Sequence, residues 1–93
     1  MVVGLAVWEV HLPGCDSLKD KRAVLKSLKD RLHNQFNVSA AETAHHDVHR
    51  RAEVAVCTVS GDRAHATSVL GAVDRFMGAE DRFRIVDSYT VYY

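Results

Sequence analysis

The residues with the widest chemical options lie together in one stretch, Glu42-Thr43-Ala44-His45-His46-Asp47-Val48-His49-Arg50-Arg51. In an extended segment His45, Asp47 and His49 point the same way, and two imidazoles with a carboxylate suit Zn²⁺ or Ni²⁺. Their spacing fits no closed structural zinc site and neither cysteine is close in sequence, so a polar hairpin loop accounts for them better. No metal or cofactor is assigned. Cys15 stands before a helix start, a position that lowers a thiol pKa, but no histidine is tied to it by spacing. Cys57 falls within a predicted strand, where a thiol is a small hydrophobe. Glu42 and Asp47 lack the pattern of a paired acid and base. Ser60-Gly61-Asp62 opens a helix without the rest of a phosphate-binding loop. The sequence therefore predicts no catalytic residues and a non-enzymatic protein.

Positioning these groups falls to six elements. Val2 to Leu12 is rich in β-branched and aromatic residues and ends at the turn dipeptide Pro13-Gly14, which predicts a strand. Ser17-Leu18-Lys19-Asp20 resembles a capping box. From Leu18 the spacing turns helical, with Leu18, Val24, Leu25, Leu28 and Leu32 on one stripe, until Asn34-Gln35. Strands follow at Phe36 to Thr43 and Arg51 to Ser60. Ser60-Gly61-Asp62 caps a second helix with an inward stripe of Ala66, Val69, Leu70, Val73 and Met77, and Gly78 is placed at its C′ position. Gly71, in mid-helix at a cost of about 1 kcal/mol, predicts a close contact there. The last strand runs from Phe83 to Tyr92. The order β-α-β-β-α-β is the ferredoxin-like α+β arrangement: a four-stranded antiparallel sheet with two helices on one face, forming one domain over residues 1–93. Small enzymes of this topology that bind acyl phosphates use an arginine and an asparagine at defined places. Here Asn34 and Asn37, the only asparagines, both flank the end of the first helix.

Such a fold leaves one sheet face without helices. The first strand is apolar on both sides, and the frame Trp8, Val10 and Leu12, with Val86 and Tyr92 from the last strand, is assigned to the open face. Leaving it in water makes a large apolar patch, so a homodimer through the sheet face or an edge strand is expected. The topology also suits RNA-recognition domains, but the third strand, Arg51 to Cys57, has no aromatic ring on which a base would stack. The apolar stretch Met1 to Trp8 is far shorter than the roughly 20 residues of a membrane span. It also has no basic flank, so a cytoplasmic protein without a membrane partner is expected.

Twelve basic and twelve acidic residues give no net charge, which excludes a global field drawing the chain to polyanions. Locally the balance fails. On the first helix Lys19, Arg22, Lys26, Lys29 and His33 share one sector beside the apolar stripe, a pattern that can follow a phosphate backbone. Arg50 and Arg51 extend it if the fold brings them close. A solvated helix face gives the same pattern. Lys21 differs, because its helical angle lies inside the apolar stripe; its ammonium must reach an acidic partner or backbone carbonyls.

The run Ser17-Leu18-Lys19-Asp20-Lys21-Arg22-Ala23-Val24-Leu25, followed by Phe36-Asn37-Val38-Ser39-Ala40-Ala41-Glu42, resembles the bacterial YlxP-like family of unknown function essentially end to end. The matching positions are Ser17, Leu18, Lys19, Lys21, Arg22, Phe36, Asn37, Val38, Glu42, Asp47 and Arg51. The resemblance implies a small ferredoxin-like protein without an established enzymatic activity, and the family's gene neighbourhood implies a role around RNA or ribosomes. Two positions depart from the family pattern: His49 stands where members commonly have tryptophan, and Ala55 where glycine is frequent. Sequence alone thus favours a binding module that meets RNA or a ribosomal surface through the first-helix stripe. The alternative is a homo-oligomeric regulatory or small-ligand-binding domain that uses the open sheet face.

Overall fold

A computed structural model describes residues 1–93. The elements follow the expected order: β1 (Val2–His11), α1 (Leu18–Gln35), β2 (Ser39–Ala44), β3 (Arg51–Ser60), α2 (Arg63–Gly78) and β4 (Arg84–Tyr92). All strand pairs are antiparallel, in the order β2-β3-β1-β4. The fold is the ferredoxin-like α+β one. No helix is long and apolar enough to cross a membrane.

Local signals explain most boundaries. The Ser17 hydroxyl accepts the Asp20 amide at 3.0 Å, and the Asp20 carboxylate accepts the Asp16 amide at 3.0 Å, so the start of α1 is capped from both sides. Asp62 caps α2 by accepting the Ala64 amide. Phe36, expected from sequence to begin the second strand, does not: β2 starts at Ser39. Phe36 ends α1 in extended backbone and sets its ring edge-on to Phe76, 5.9 Å away. Gly78 is the last residue of α2, not a left-handed C′ residue; Ala79 ends the helix at φ −85°.

The two sides of β1 are the reverse of the expected assignment. Ala6, Trp8, Val10 and Leu12 pack with Leu25, Leu28, Leu32, Val54, Val56, Val73 and Met77 in the single core. Trp8, Val10 and Leu12 are therefore no dimer surface: they are at most 1% exposed. Tyr92 also faces the helices, its hydroxyl 2.9 Å from Thr67 and its ring under the Arg63 guanidinium. Val86 is exposed beside a bulge where β4 slips against β1 between Glu9 and Val10. The reason lies in the other frame, Val3, Leu5, Val7, Glu9 and His11. It ends in two polar side chains, whereas the core frame is apolar from Ala6 to Leu12.

Close packing of α2 on the sheet occurs at Gly4, not Gly71. A Cβ on Gly4 would lie 2.8 Å from Leu70 Cδ1 and 3.3 Å from the Tyr92 ring. One on Gly71 would meet only an Arg75 nitrogen at 3.7 Å. The far end of the helical layer is tied by charge. Glu80, nearly buried, takes hydrogen bonds from Arg82 and Arg31, which joins α1 to the segment between α2 and β4. The Arg82 guanidinium, with Arg31 beside it, holds the Glu80 carboxyl at about 2, below its ordinary 4.5. A depressed carboxylate stabilises the fold above its unfolded pKa and loses that contribution as pH falls through the folded one. Stability should therefore decline as pH falls from 4.5 to about 2. In denaturant melts across this range, Glu80→Gln should be less stable at neutral pH and lose less on acidification.

Candidate functional site

The second strand hairpin is organised by one buried cation. Lys21 enters from α1 with 1% of its side chain exposed, and its Nζ lies 2.6 Å from Glu42 Oε2 on β2. It also donates to the His45 carbonyl at 2.9 Å and the Arg51 carbonyl at 3.2 Å. Three donors thus meet three acceptors, which is what an ammonium needs to be buried. Both kinds of partner expected for Lys21 are present. The His45 carbonyl also accepts the Val48 amide at 3.0 Å, and His45 takes a left-handed backbone, φ 62°. The loop between β2 and β3 is folded back on the lysine.

That fold-back places two side chains over the helix-free sheet face. His45 Nε2 lies 2.9 Å from Glu9 Oε1, and Arg51 donates to the same carboxylate at 2.6 Å. The Arg51 hydrogen bond is the main reason the Glu9 carboxyl is held below its ordinary range, with the His45 contact adding to it. Strand register then sets two charged rows across the sheet. Glu53, Glu9 and Asp87 lie side by side, and Arg51, His11 and Arg84 form the next row. A shallow cavity of about 260 Å³ opens above the acidic row, bordered by His45, Arg51 and Tyr89.

Beyond the charges, the same face is apolar. Val59 and Val3 form one row with Tyr93, whose amide and carbonyl both bond to Val3. Cys57, Leu5 and Val91 form the next, then Ala41, Ala55, Val7 and Tyr89. Val59, Tyr89 and Tyr93 are more than half exposed. Val7 is buried but lies outside the helix-covered core, shielded by its neighbours on this face.

The basic set read from sequence divides among three places. Lys19, Arg22, Lys29 and His33 remain on α1 with no acidic partner, while Lys26 is paired with Asp30 at 2.9 Å. Arg50 turns to Asp16 at 3.1 Å and to the Cys15 carbonyl, and Arg51 is on the sheet face with Glu9. The two loop arginines do not prolong the stripe, because each is held by a carboxylate elsewhere. His45, Asp47 and His49 do not converge either, and no three His, Cys, Asp or Glu side chains are placed to share a metal ion. His46 contacts the Glu42 carbonyl. Burial pushes the Cys15 thiol up, and Asp20 and Asp16 add to the shift, the opposite of activation.

The three positions that hold the loop, Lys21, Glu42 and Arg51, are all among those that resemble the YlxP-like pattern. Residues 3–90 match the family model described as "Protein of unknown function (DUF503)". The chain belongs to the DUF503 family. It is also similar to the "Uncharacterized protein YlxP" of Bacillus subtilis (strain 168), at 36% identity over 76 residues, covering 82% of this chain and 83% of that protein. In this DUF503 chain the run containing Lys21 marks a structural hub that links α1 to the open sheet face.

Sequence reasoning found the lysine from its helical angle but missed Glu9, whose signal was a carboxylate interrupting an otherwise apolar frame. Removing one partner of a buried pair costs about 3–5 kcal/mol, so Lys21→Met should lose about that much in urea melts. Glu42→Gln keeps a carbonyl for Nζ to donate to but leaves the fully buried ammonium without a counter-charge, and should lose a comparable amount.

Proposed function

We propose that this DUF503 chain is a non-enzymatic binding module whose working surface is the helix-free sheet face, where it pairs with a second copy. The observation that carries this is the set of three apolar cross-strand rows, from Val3 to Tyr89, on a face that no element covers. Four strands about 4.8 Å apart and five rows about 6.8 Å apart give a face of roughly 650 Å² in plan. A standard interface takes about 800 Å² from each partner. A two-fold axis along the strands sets apolar rows on apolar rows and each charged row on its own copy at one end, where Arg51 already pairs with Glu9. The reading of a binding module is further supported by the acids: Glu9, Glu42 and Glu80 are each committed to a cation.

Leu5, half-buried in the middle of the apolar rows, gives the test. Sedimentation of the native chain should return a dimer mass, and Leu5→Lys a monomer with an unchanged circular dichroism spectrum. A native chain that stays monomeric at every concentration overturns the pairing.

A second reading, RNA or ribosome contact through α1, is supported by Lys19, Arg22 and Lys29, which have no carboxylate partner. Three cations against single-stranded RNA give a salt slope of about −2. Binding measured between low and moderate salt should follow that slope and flatten in the Arg22→Glu, Lys29→Glu double variant. Affinity that ignores both salt and substitution removes this reading.

A further inference from the structure

The opposite side of the sheet carries an unused surface that neither reading above employs. The sheet ends at β4, an edge strand whose residues from Val86 to Thr90 are all exposed. An edge strand offers a row of unpaired amides and carbonyls, and proteins usually blunt it with lysine, proline or a covering segment. Between its bulge and Tyr92, β4 has no lysine or proline and only one charge, Asp87. Beside this edge, on the helix side, a groove of about 290 Å³ runs between β4 and α2. Trp8, Leu70 and Tyr92 line its apolar part, and Ser88 and Thr90 leave it open because they are small.

Two features of the groove leave capacity that the chain itself does not use. Gly71 faces it from the middle of α2, where glycine weakens a helix, although a side chain there would meet only the end of Arg75. Asp74 accepts the Trp8 indole N–H on Oδ1 at 2.9 Å and leaves Oδ2 free at an exposed position. At the other end Arg63 already lies over Tyr92. A negative charge thus waits at the Asp74 end, above an indole.

We infer that β4 and this groove together bind an extended peptide segment of a partner protein, with a lysine or arginine pointing between β4 and α2. The segment adds as a fifth strand along β4. Its main chain bonds to the free edge, and alternate side chains descend past Ser88 and Thr90 toward α2. The cationic one lays its aliphatic stem along Tyr92 and the Gly71 backbone, over the buried Trp8 and Leu70, and donates to Asp74 Oδ2. Gly71 provides the clearance for that side chain against the helix. The recognition is of backbone plus one positive charge.

Trp8 is the only tryptophan, and its indole is bonded to Asp74 at the base of the groove, so its fluorescence senses a ligand that engages Asp74. The probe is an end-capped octapeptide of alternating lysine and valine, compared with one of alternating glutamate and valine. The lysine peptide should change Trp8 emission and shift the amide NMR signals of Ser88, Thr90 and Gly71, with the glutamate peptide at least tenfold weaker. Asp74→Asn, which keeps an acceptor for the indole, should weaken the lysine peptide about tenfold. Gly71→Leu should block it while leaving the thermal midpoint equal or higher. N-methylation along one edge of the peptide should abolish binding, and along the other edge should not. The inference is overturned if the β4 signals do not move at millimolar peptide or if both peptides bind alike. It is equally overturned if, in the Leu5→Lys variant, those signals move with protein concentration alone, which would mean that the β4 edge pairs with another copy.

Discussion

A single ammonium group, that of Lys21, sets how the loop side of this protein is built. A lysine so fully withdrawn from water survives only if each of its protons is taken up. Glu42, the His45 carbonyl and the Arg51 carbonyl do this from three points on one hairpin. Meeting that demand fixes the path of the loop, including the left-handed turn at His45, a conformation that costs a non-glycine residue about 1–2 kcal/mol. The charged end of the open face follows from it. His45 and Arg51 reach Glu9 because their own backbones are held by the lysine. A requirement of the helical layer is thereby transmitted through the sheet to its far side.

The two faces of the sheet show how much of this was legible. The order of elements, both capping residues and the unusual place of Lys21 are local facts, written in spacing and residue type, and the structure agrees with them. The facing of β1 is not local in the same way. Both of its frames are apolar over Val2 to Val7, so alternation carries no information there. Only the continuation separates them, because Glu9 and His11 interrupt one frame and nothing interrupts the other. The third strand points the same way, with Ala52, Val54, Val56 and Thr58 buried against Glu53, Ala55 and Cys57 half-exposed. Trp8 misled because a large ring in a doubly apolar strand suits either side. Its indole N–H resolves the matter in three dimensions by finding Asp74, 66 residues away.

Charge was read less well than hydropathy, for a physical reason. A helical projection places cations on a face but says nothing about which anions lie opposite. Lys26 meets Asp30 on its own helix, whereas Arg31 meets Glu80, and Arg50 and Arg51 meet Asp16 and Glu9 through the fold. A neutral chain can hide a basic stripe, and the fold can then dismantle part of it. What remains on α1 is three cations and a histidine, a smaller feature than the sequence suggested.

The two free thiols have a practical consequence. Cys15 is 4% exposed, and burial, with Asp20 and Asp16 nearby, pushes its thiol pKa up. Cys57 is half-exposed, in the middle of the open face between Leu5 and Ser39. An alkylating fluorophore or spin label should thus attach at one position without any engineering. That position is inside the apolar rows, so the unaltered polypeptide already offers a spectroscopic handle on whether that face is wet or covered.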